Sequence, residues 1–278
     1  MYDCIIVGGG PAGLSAGINL KQRGKEPLVL NQGISLLEKA ERVDNYLGLP
    51  ALSGTEMMAA FKAHAAALGV AVKSAKAANI MPFDGHFMVN ADGDILESRT
   101  VILATGVAKA KPIAGEAELL GRGVSYCATC DGMLYKGRSV AVWGSASDVV
   151  REANFLAEIG CHVTLIAAKK PDNLSDDIAF AAGGLQKIVG ENTVTGVMAG
   201  GNLIAVDCVF ILRSALPPDA LLPGLVLQDG SVAVNARCET NLQGVFAAGD
   251  LAGKPLQVAK AVGDGLVAAL SAAEFLDK

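Results

Sequence analysis

Tyr2-Asp3-Cys4-Ile5-Ile6-Val7-Gly8-Gly9-Gly10-Pro11-Ala12-Gly13, at the start of the chain, decides the fold. The apolar run reads as a buried strand, and Leu14 to Arg23 carries apolar residues at helical spacing until Gly24 caps it. Pro27-Leu28-Val29-Leu30 is then a second strand, so the stretch is a βαβ unit. It sets Gly8, Gly10 and Gly13 in a G-x-G-x-x-G arrangement at the strand-to-helix turn, with Pro11 and Ala12 between them. There the bare backbone N–H groups and the helix N-terminus accept a pyrophosphate, which predicts a dinucleotide site. Such a triplet alone is weak evidence, but this one has the strand before it and the helix after it. Asn31 stands where an acidic residue usually closes the second strand to hold a ribose, and its amide can still hydrogen-bond a hydroxyl.

A second strand-turn-helix follows about 130 residues later. Ser139 to Trp143 is the strand, Gly144 to Val149 the turn, Val150 to Ile159 the helix, and His162 to Ile166 the next strand. The topology repeats but the chemistry does not, because Ala146 and Val149 occupy places where a pyrophosphate needs small or absent side chains. Val101-Ile102-Leu103-Ala104-Thr105-Gly106 and Val245-Phe246-Ala247-Ala248-Gly249-Asp250 are further strands running into small-residue turns. Val258 to Leu276 reads as a closing amphipathic helix. The fold class expected is α/β: two doubly wound, nucleotide-binding-like domains (three-layer ββα or Rossmann-type), the second inserted in the first. Residues 1–112 and 243–278 are expected to form the outer domain and 113–242 the insert. The insert should be minimal, since Leu174 to Val206 offers few strand-like segments.

Composition excludes several classes. With 23 Lys plus Arg against 28 Asp plus Glu, the net charge of −5 provides no basic stripe for nucleic acid. The apolar share of 51% contains no uninterrupted run of the ~18 residues that a membrane helix requires. No signal or transit peptide is read at the N-terminus, and a cytoplasmic setting is expected. Six cysteines in 278 residues are too sparse for a secreted disulfide framework.

Only Cys127 and Cys130 form a close pair, in Tyr126-Cys127-Ala128-Thr129-Cys130-Asp131-Gly132. Two thiols at this spacing on a helix start can close a disulfide, and the helix N-terminus stabilises one thiolate. Zinc would need four ligands, and no second C-x-x-C or H-x-x-x-H exists. Asp131 is either the carboxylate that shuttles the exchanged proton or a turn carboxylate beside Gly132. A dithiol and a dinucleotide site in one chain point to electron flow between a cofactor and a disulfide. A nicotinamide does not reduce a disulfide readily, whereas a flavin does, so the N-terminal site is read as an FAD site.

Gly8 to Ala16, Asn45-Tyr46-Leu47-Gly48, Ala104-Thr105-Gly106, Ser125 to Gly132 and Gly244 to Asp250 together resemble the low-molecular-weight thioredoxin reductases along nearly the whole chain. The resemblance implies a homodimeric flavoprotein that reduces thioredoxin. It implies that Asn45, Ala104, Thr105, Gly106 and Gly249 line the FAD, and that Asp250 holds the ribityl chain. The same resemblance implies that Gln257 and Val258 lie against the isoalloxazine edge, unless Gln257 is only a solvated helix-start residue. It implies that Cys130 faces the flavin, with Cys127 exchanging with the protein substrate.

The chain departs from NADPH-dependent members in the insert, where the strand ends Ile166-Ala167-Ala168-Lys169-Lys170 without the arginines that clamp a 2′-phosphate. The two lysines are either point charges for a phosphate or a solvated pair. The reading favoured is therefore similar to ferredoxin-dependent flavin thioredoxin reductases. A ferredoxin near about −400 mV and a thioredoxin near about −270 mV differ by roughly 6 kcal/mol per electron pair, which suffices. Lys21, Arg23, Lys25, Lys109, Lys111, Lys136 and Arg138 are candidates for a basic donor patch. The alternatives are an NADPH or NADH enzyme with an atypical pocket, a variant with a second flavin in the insert, and a flavin-bound redox sensor without turnover.

Overall fold

In a computed structural model, which describes residues 1–106, 113–144, 149–213 and 216–278, the chain divides into two compact units. Unit 1 is Met1–Ala108 with Pro217–Lys278, and unit 2 is Lys109–Leu216.

Unit 1 opens with β1 (Tyr2–Val7), α1 (Pro11–Lys21) and β2 (Pro27–Asn31). Pro11 at the first helical position suits α1, because its missing N–H and fixed φ cost nothing there. Gly24 closes the turn after α1 at φ +69°. Next come α2 (Gly54–Ala67), β3 (Ala71–Ser74), β4 (Ala77–Phe83), β5 (His86–Ala91) and β6 (Asp94–Leu103).

β6 joins the antiparallel and parallel parts of one sheet. Its first half pairs antiparallel with β5, and its second half runs parallel beside β1. β1 is fully buried from Cys4 to Val7, which its uninterrupted apolar run dictates for a central parallel strand.

Unit 2 contains β7 (Val124–Ser125), the short helix α3 (Ala128–Asp131), β8 (Ser139–Gly144), α4 (Val149–Glu158), β9 (His162–Ala167) and β10 (Ala179–Ala182). β11 (Leu185–Gly190), β12 (Val194–Ala199), β13 (Asn202–Ala205) and β14 (Cys208–Leu212) follow. The parallel sheet has the order β10-β9-β8-β14-β7, and β11-β12-β13 form a separate antiparallel sheet. The two faces of the parallel sheet follow from alternation along its strands. Val140, Val142 and Phe210 pack with Ala153 and Leu156 of α4, whereas Ala141, Val209 and Ile211 pack with Ile188 and Val197 of the second sheet. The result is three layers, ββα. Leu174 to Val206 is thus richer in strands than expected. The strands there are short, and glycine-bearing turns such as Gly200-Gly201 separate them, so their periodicity is brief.

The chain returns to unit 1 with α5 (Pro218–Leu221), the hairpin β15 (Leu227–Gln228) and β16 (Ser231–Val232), β17 (Val245–Ala247) and α6 (Val258–Leu276). The return lies at residue 217, not at the expected 243. The reason is packing: α5 lies against β4, and β16 lies against the turn that follows β17. β17 adds in parallel to β6, completing the order β3-β2-β1-β6-β17.

α1 and α6 pack through small residues. Ala261, Gly265, Ala268 and Ala272 are buried on α6, and a Cβ on Gly265 would meet the Ala12 carbonyl oxygen at 2.2 Å. Ser15 Oγ donates to the Val262 carbonyl across the same contact at 2.7 Å. This close approach explains why so much of the apolar content is alanine. Gly265→Ala is expected to cost about 1–3 kcal/mol by overpacking, read from chemical denaturation, and an unchanged midpoint would contradict the packing described.

Candidate active site

In unit 1 the glycine turn is packed from three sides. A Cβ on Gly8 would lie 2.2 Å from the Ala104 carbonyl oxygen, one on Gly13 would lie 1.8 Å from the Gly8 carbonyl oxygen, and one on Gly249 would lie 2.9 Å from Ala12 Cβ. The structure therefore brings Gly8 against Ala104 and Thr105, Gly13 against Gly8, and Ala12 against Gly249, with Gly10 and Pro11 between Gly8 and Ala12 in sequence. Asn31, at the end of β2, lies beside Gly9, where a Cβ would meet Asn31 Cβ at 2.6 Å. Gly10 caps α1 with no side-chain hydrogen bond, and the first turn of α1 has no acidic residue. Its N–H groups thus face a place suited to an anion. A backbone cradle that side chains would fill, beside an uncapped helix N-terminus, fits the pyrophosphate of FAD.

Asn45 Nδ2 donates to Gln257 Oε1 at 2.8 Å, so two candidates that are 212 residues apart meet. Gln257 is the residue before α6 and Val258 its first, which fits the expected helix start.

In unit 2, Cys127 and Cys130 form a disulfide with a Cα–Cα distance of 5.3 Å. Cys127 caps α3: its Sγ accepts from the Cys130 N–H at 3.1 Å and lies 3.4 Å from Thr129 Oγ1. Ser125 Oγ donates to Asp131 Oδ2 at 2.7 Å and accepts from the Cys127 N–H at 3.1 Å. The Asp131 carboxylate is thereby tied to the backbone of Cys127. Ser125 was legible only as part of the motif, not in this role. The other four cysteines are buried. Burial pushes the Cys4 thiol up to about 12 and that of Cys238 to about 11, and it raises Cys161 and Cys208 as well. Exchange chemistry is left to the C-x-x-C pair.

Sequence reasoning missed a buried charge cluster. Arg213, following β14, makes a two-pronged ion pair with Glu116, whose second contact is 2.8 Å. Tyr126 Oη donates to Glu116 Oε1 at 2.8 Å, and the Arg213 guanidinium lies 5.7 Å from the centre of the Trp143 ring. Burial pushes the Glu116 carboxyl up, but Arg213, the Ile113 N–H and Tyr126 more than offset it, leaving it below its ordinary value. No local pattern joins residues 97 apart in sequence, so only the fold could reveal the pair.

Three of the candidate basic residues have acidic partners. Lys21 pairs with Glu26 at 2.8 Å, Lys25 with Asp277, and Arg138 with Asp207 at 3.4 Å. Lys109, Lys111 and the 145–148 part of the second turn, with Ala146, lie outside the described residues. Lys169 and Lys170 are exposed beyond the end of β9.

Fold and site together define a flavin-type disulfide oxidoreductase. A family model described as pyridine nucleotide-disulphide oxidoreductase matches residues 2–182 and 174–265, and the chain belongs to that family. It is 30% identical over 302 residues to the thioredoxin reductase of Bacillus subtilis strain 168, covering 100% of this chain and 96% of that protein. A ferredoxin-flavin thioredoxin reductase from Clostridium acetobutylicum has a TM-score of 0.90 at 39% identity, covering 98% of this chain and 97% of that one. A thioredoxin reductase from Gloeobacter violaceus has a TM-score of 0.82 at 29% identity, covering 99% and 94%. The protein is a thioredoxin reductase-like flavoprotein disulfide reductase, and FAD is the cofactor of this family. No helix among the described residues is long and apolar enough to cross a membrane.

Glu116 supplies a pH signature. Its folded-state carboxyl lies below the ordinary value of 4.5, so its stabilisation is present above that pH and is lost as pH falls through the lower folded-state value. Glu116→Gln is expected to destabilise unit 2 by about 3–5 kcal/mol at neutral pH, because Arg213 is left buried without its counter-charge. The gap between variant and wild type should narrow below about pH 4.5, as followed by thermal unfolding across pH. A gap independent of pH would contradict the assignment.

Proposed function

We propose that the protein reduces thioredoxin with electrons delivered by a reduced ferredoxin and not by a pyridine nucleotide, using FAD held in unit 1 and the Cys127–Cys130 disulfide. The observation that carries this reading is the Glu116–Arg213 pair. In the order β10-β9-β8-β14-β7 the chain reverses direction across the sheet between β8 and β14, and ligands of such folds bind outside the carboxyl ends of the strands at that point. Trp143 and Arg213 lie at those ends, and Arg213 is buried against Glu116. Arg213 is committed to Glu116, so its guanidinium is not offered to a nucleotide phosphate. The exposed lysines after β9 lack the planar fork that would hold a 2′-phosphate. The similarity to the Clostridium acetobutylicum protein supports the same donor.

When bound, FAD supplies a store of two electrons and a route for passing them to a disulfide. The chain's residues supply the rest. Gly8 to Gly13 and the α1 N-terminus hold the pyrophosphate, Asn31 and Asp250 meet hydroxyl groups, and Asn45, Thr105, Gln257 and Val258 border the remainder.

Reduction of the Cys127–Cys130 disulfide consumes two electrons and breaks the S–S bond. The Cys130 N–H and Thr129 hydroxyl then favour negative charge on Cys127, which makes Cys127 the nucleophile toward the substrate disulfide. Cys130 attacks the resulting mixed disulfide, which restores Cys127–Cys130 and releases the substrate as a dithiol. Two protons are needed for that product, and Asp131, fixed by Ser125, is the carboxyl suited to carrying one of them.

Anaerobic titration of the holoprotein tests the donor. Reduced ferredoxin should bleach the flavin absorbance and sustain thioredoxin turnover, while NADPH and NADH leave both unchanged. Cys127→Ser and Cys130→Ser should each lower turnover about 1,000-fold or more. Rapid bleaching by NADPH would overturn the donor assignment.

A further inference from the structure

Lys260 is an unusual residue for its place. It occupies the third position of α6, where a cation opposes the positive end of the helix dipole, and its side chain is only 21% exposed. Its ammonium group has three hydrogens and three partners: the Gly249 carbonyl at 2.7 Å, the Gly253 carbonyl at 2.8 Å and Asp264 Oδ2 at 2.8 Å. The same Asp264 oxygen accepts from the Gly249 N–H at 3.0 Å. Both polar groups of the Gly249 backbone are thus held by two side chains one turn apart on α6.

The segment so held is the single 3-10 turn Gly249–Ala252, which carries Asp250 and is flanked by Gly249 at φ +75° and Gly253 at φ +100°. A single turn with glycine at each end does not keep its own shape in water. An apolar side chain at position 260 could fill the space without burying charge, so the ion pair points to geometry and not to bulk stability. One turn earlier, Gln257 receives Asn45, so both ends of the first turn of α6 are tied to loops that face the proposed cofactor site.

We propose that Lys260 and Asp264 are positioning residues for the cofactor, a strap that presets the Gly249–Gly253 turn and with it Asp250 before FAD arrives. This rests on the reading of unit 1 as the FAD site. Neither residue needs to touch the cofactor: they act through the Gly249 backbone, and their loss should register in FAD affinity beyond any change in stability.

The test uses the full chain stripped of FAD and reconstituted, with affinity read from quenching of flavin fluorescence and stability from thermal unfolding of the apoprotein. Lys260→Met and Asp264→Asn should each raise the FAD dissociation constant roughly 10- to 100-fold, as loss of charge-assisted bonds implies. The double variant should be no worse than about 3-fold beyond the weaker single variant, since both remove one strap. Ser271→Ala is the comparison: Ser271 Oγ donates to the Arg237 carbonyl at 2.7 Å near the other end of α6. It should lower the unfolding temperature while moving the FAD dissociation constant by less than about 2-fold. Lys260→Met or Asp264→Asn binding FAD within about 2-fold of wild type, or Ser271→Ala weakening FAD as much as they do, would overturn the strap. If the wild-type apoprotein takes up no FAD, the cofactor reading falls, and the strap with it.

Discussion

The close approach of backbone to backbone around the first turn of α1 is the constraint on which unit 1 depends. Gly8, Gly13, Gly249 and Gly265 each stand where a Cβ would collide with Ala12, Ala104 or Gly8 itself. With no side chains between them, the end of β1, the end of β6, the turn after β17 and the middle of α6 all close on one point. The same packing leaves the start of α1 without a side-chain cap, so its N–H groups remain available to an anion. Core packing and cofactor chemistry therefore share one cause. The alanine-rich face of α6 is a consequence, because larger residues would hold the helix away from Ala12.

Unit 2 repeats the strand-turn-helix-strand core of unit 1 with a different outcome. At the carboxyl ends of β8 and β14, where unit 1 keeps small residues and backbone, unit 2 sets Trp143 and a buried Arg213–Glu116 pair. Tyr126 joins that pair, and its neighbours are Ser125, which holds Asp131, and Cys127 itself. The strand that enters the redox motif is thus anchored on both sides. The pair thus helps to hold the strand that leads into the dithiol.

The parts of this architecture that were legible in the sequence are those written in local spacing. Gly8, Gly10 and Gly13 between an apolar strand and a helix, and Cys127 and Cys130 at a helix start, need no distant partner to be read. The two α/β units followed from the repetition of strand, turn and helix. Contacts that join distant residues were not legible: Glu116 with Arg213, Asn45 with Gln257, and Lys260 with the Gly249 carbonyl. β10 to β13 are faint in the sequence because short strands between glycine turns show too little alternation. The return to unit 1 at residue 217 is equally faint because α5 and the β15–β16 hairpin are too brief to display a period. The ion pairs of the candidate basic residues were not legible either, since a lysine's place in the sequence does not show the carboxylate beside it, as Glu26 is beside Lys21.

The central claim is that electrons reach Cys127 and Cys130 from a ferredoxin-type donor and not from a nicotinamide. Its most direct test is to incubate the holoprotein anaerobically with reduced ferredoxin or with NADPH, alkylate, and map the modified cysteines by mass spectrometry. The account requires alkylation of Cys127 and Cys130 after ferredoxin, none of that pair after NADPH, and the four buried cysteines protected in both. Alkylation of the pair with NADPH alone, or its absence after reduced ferredoxin, would contradict it.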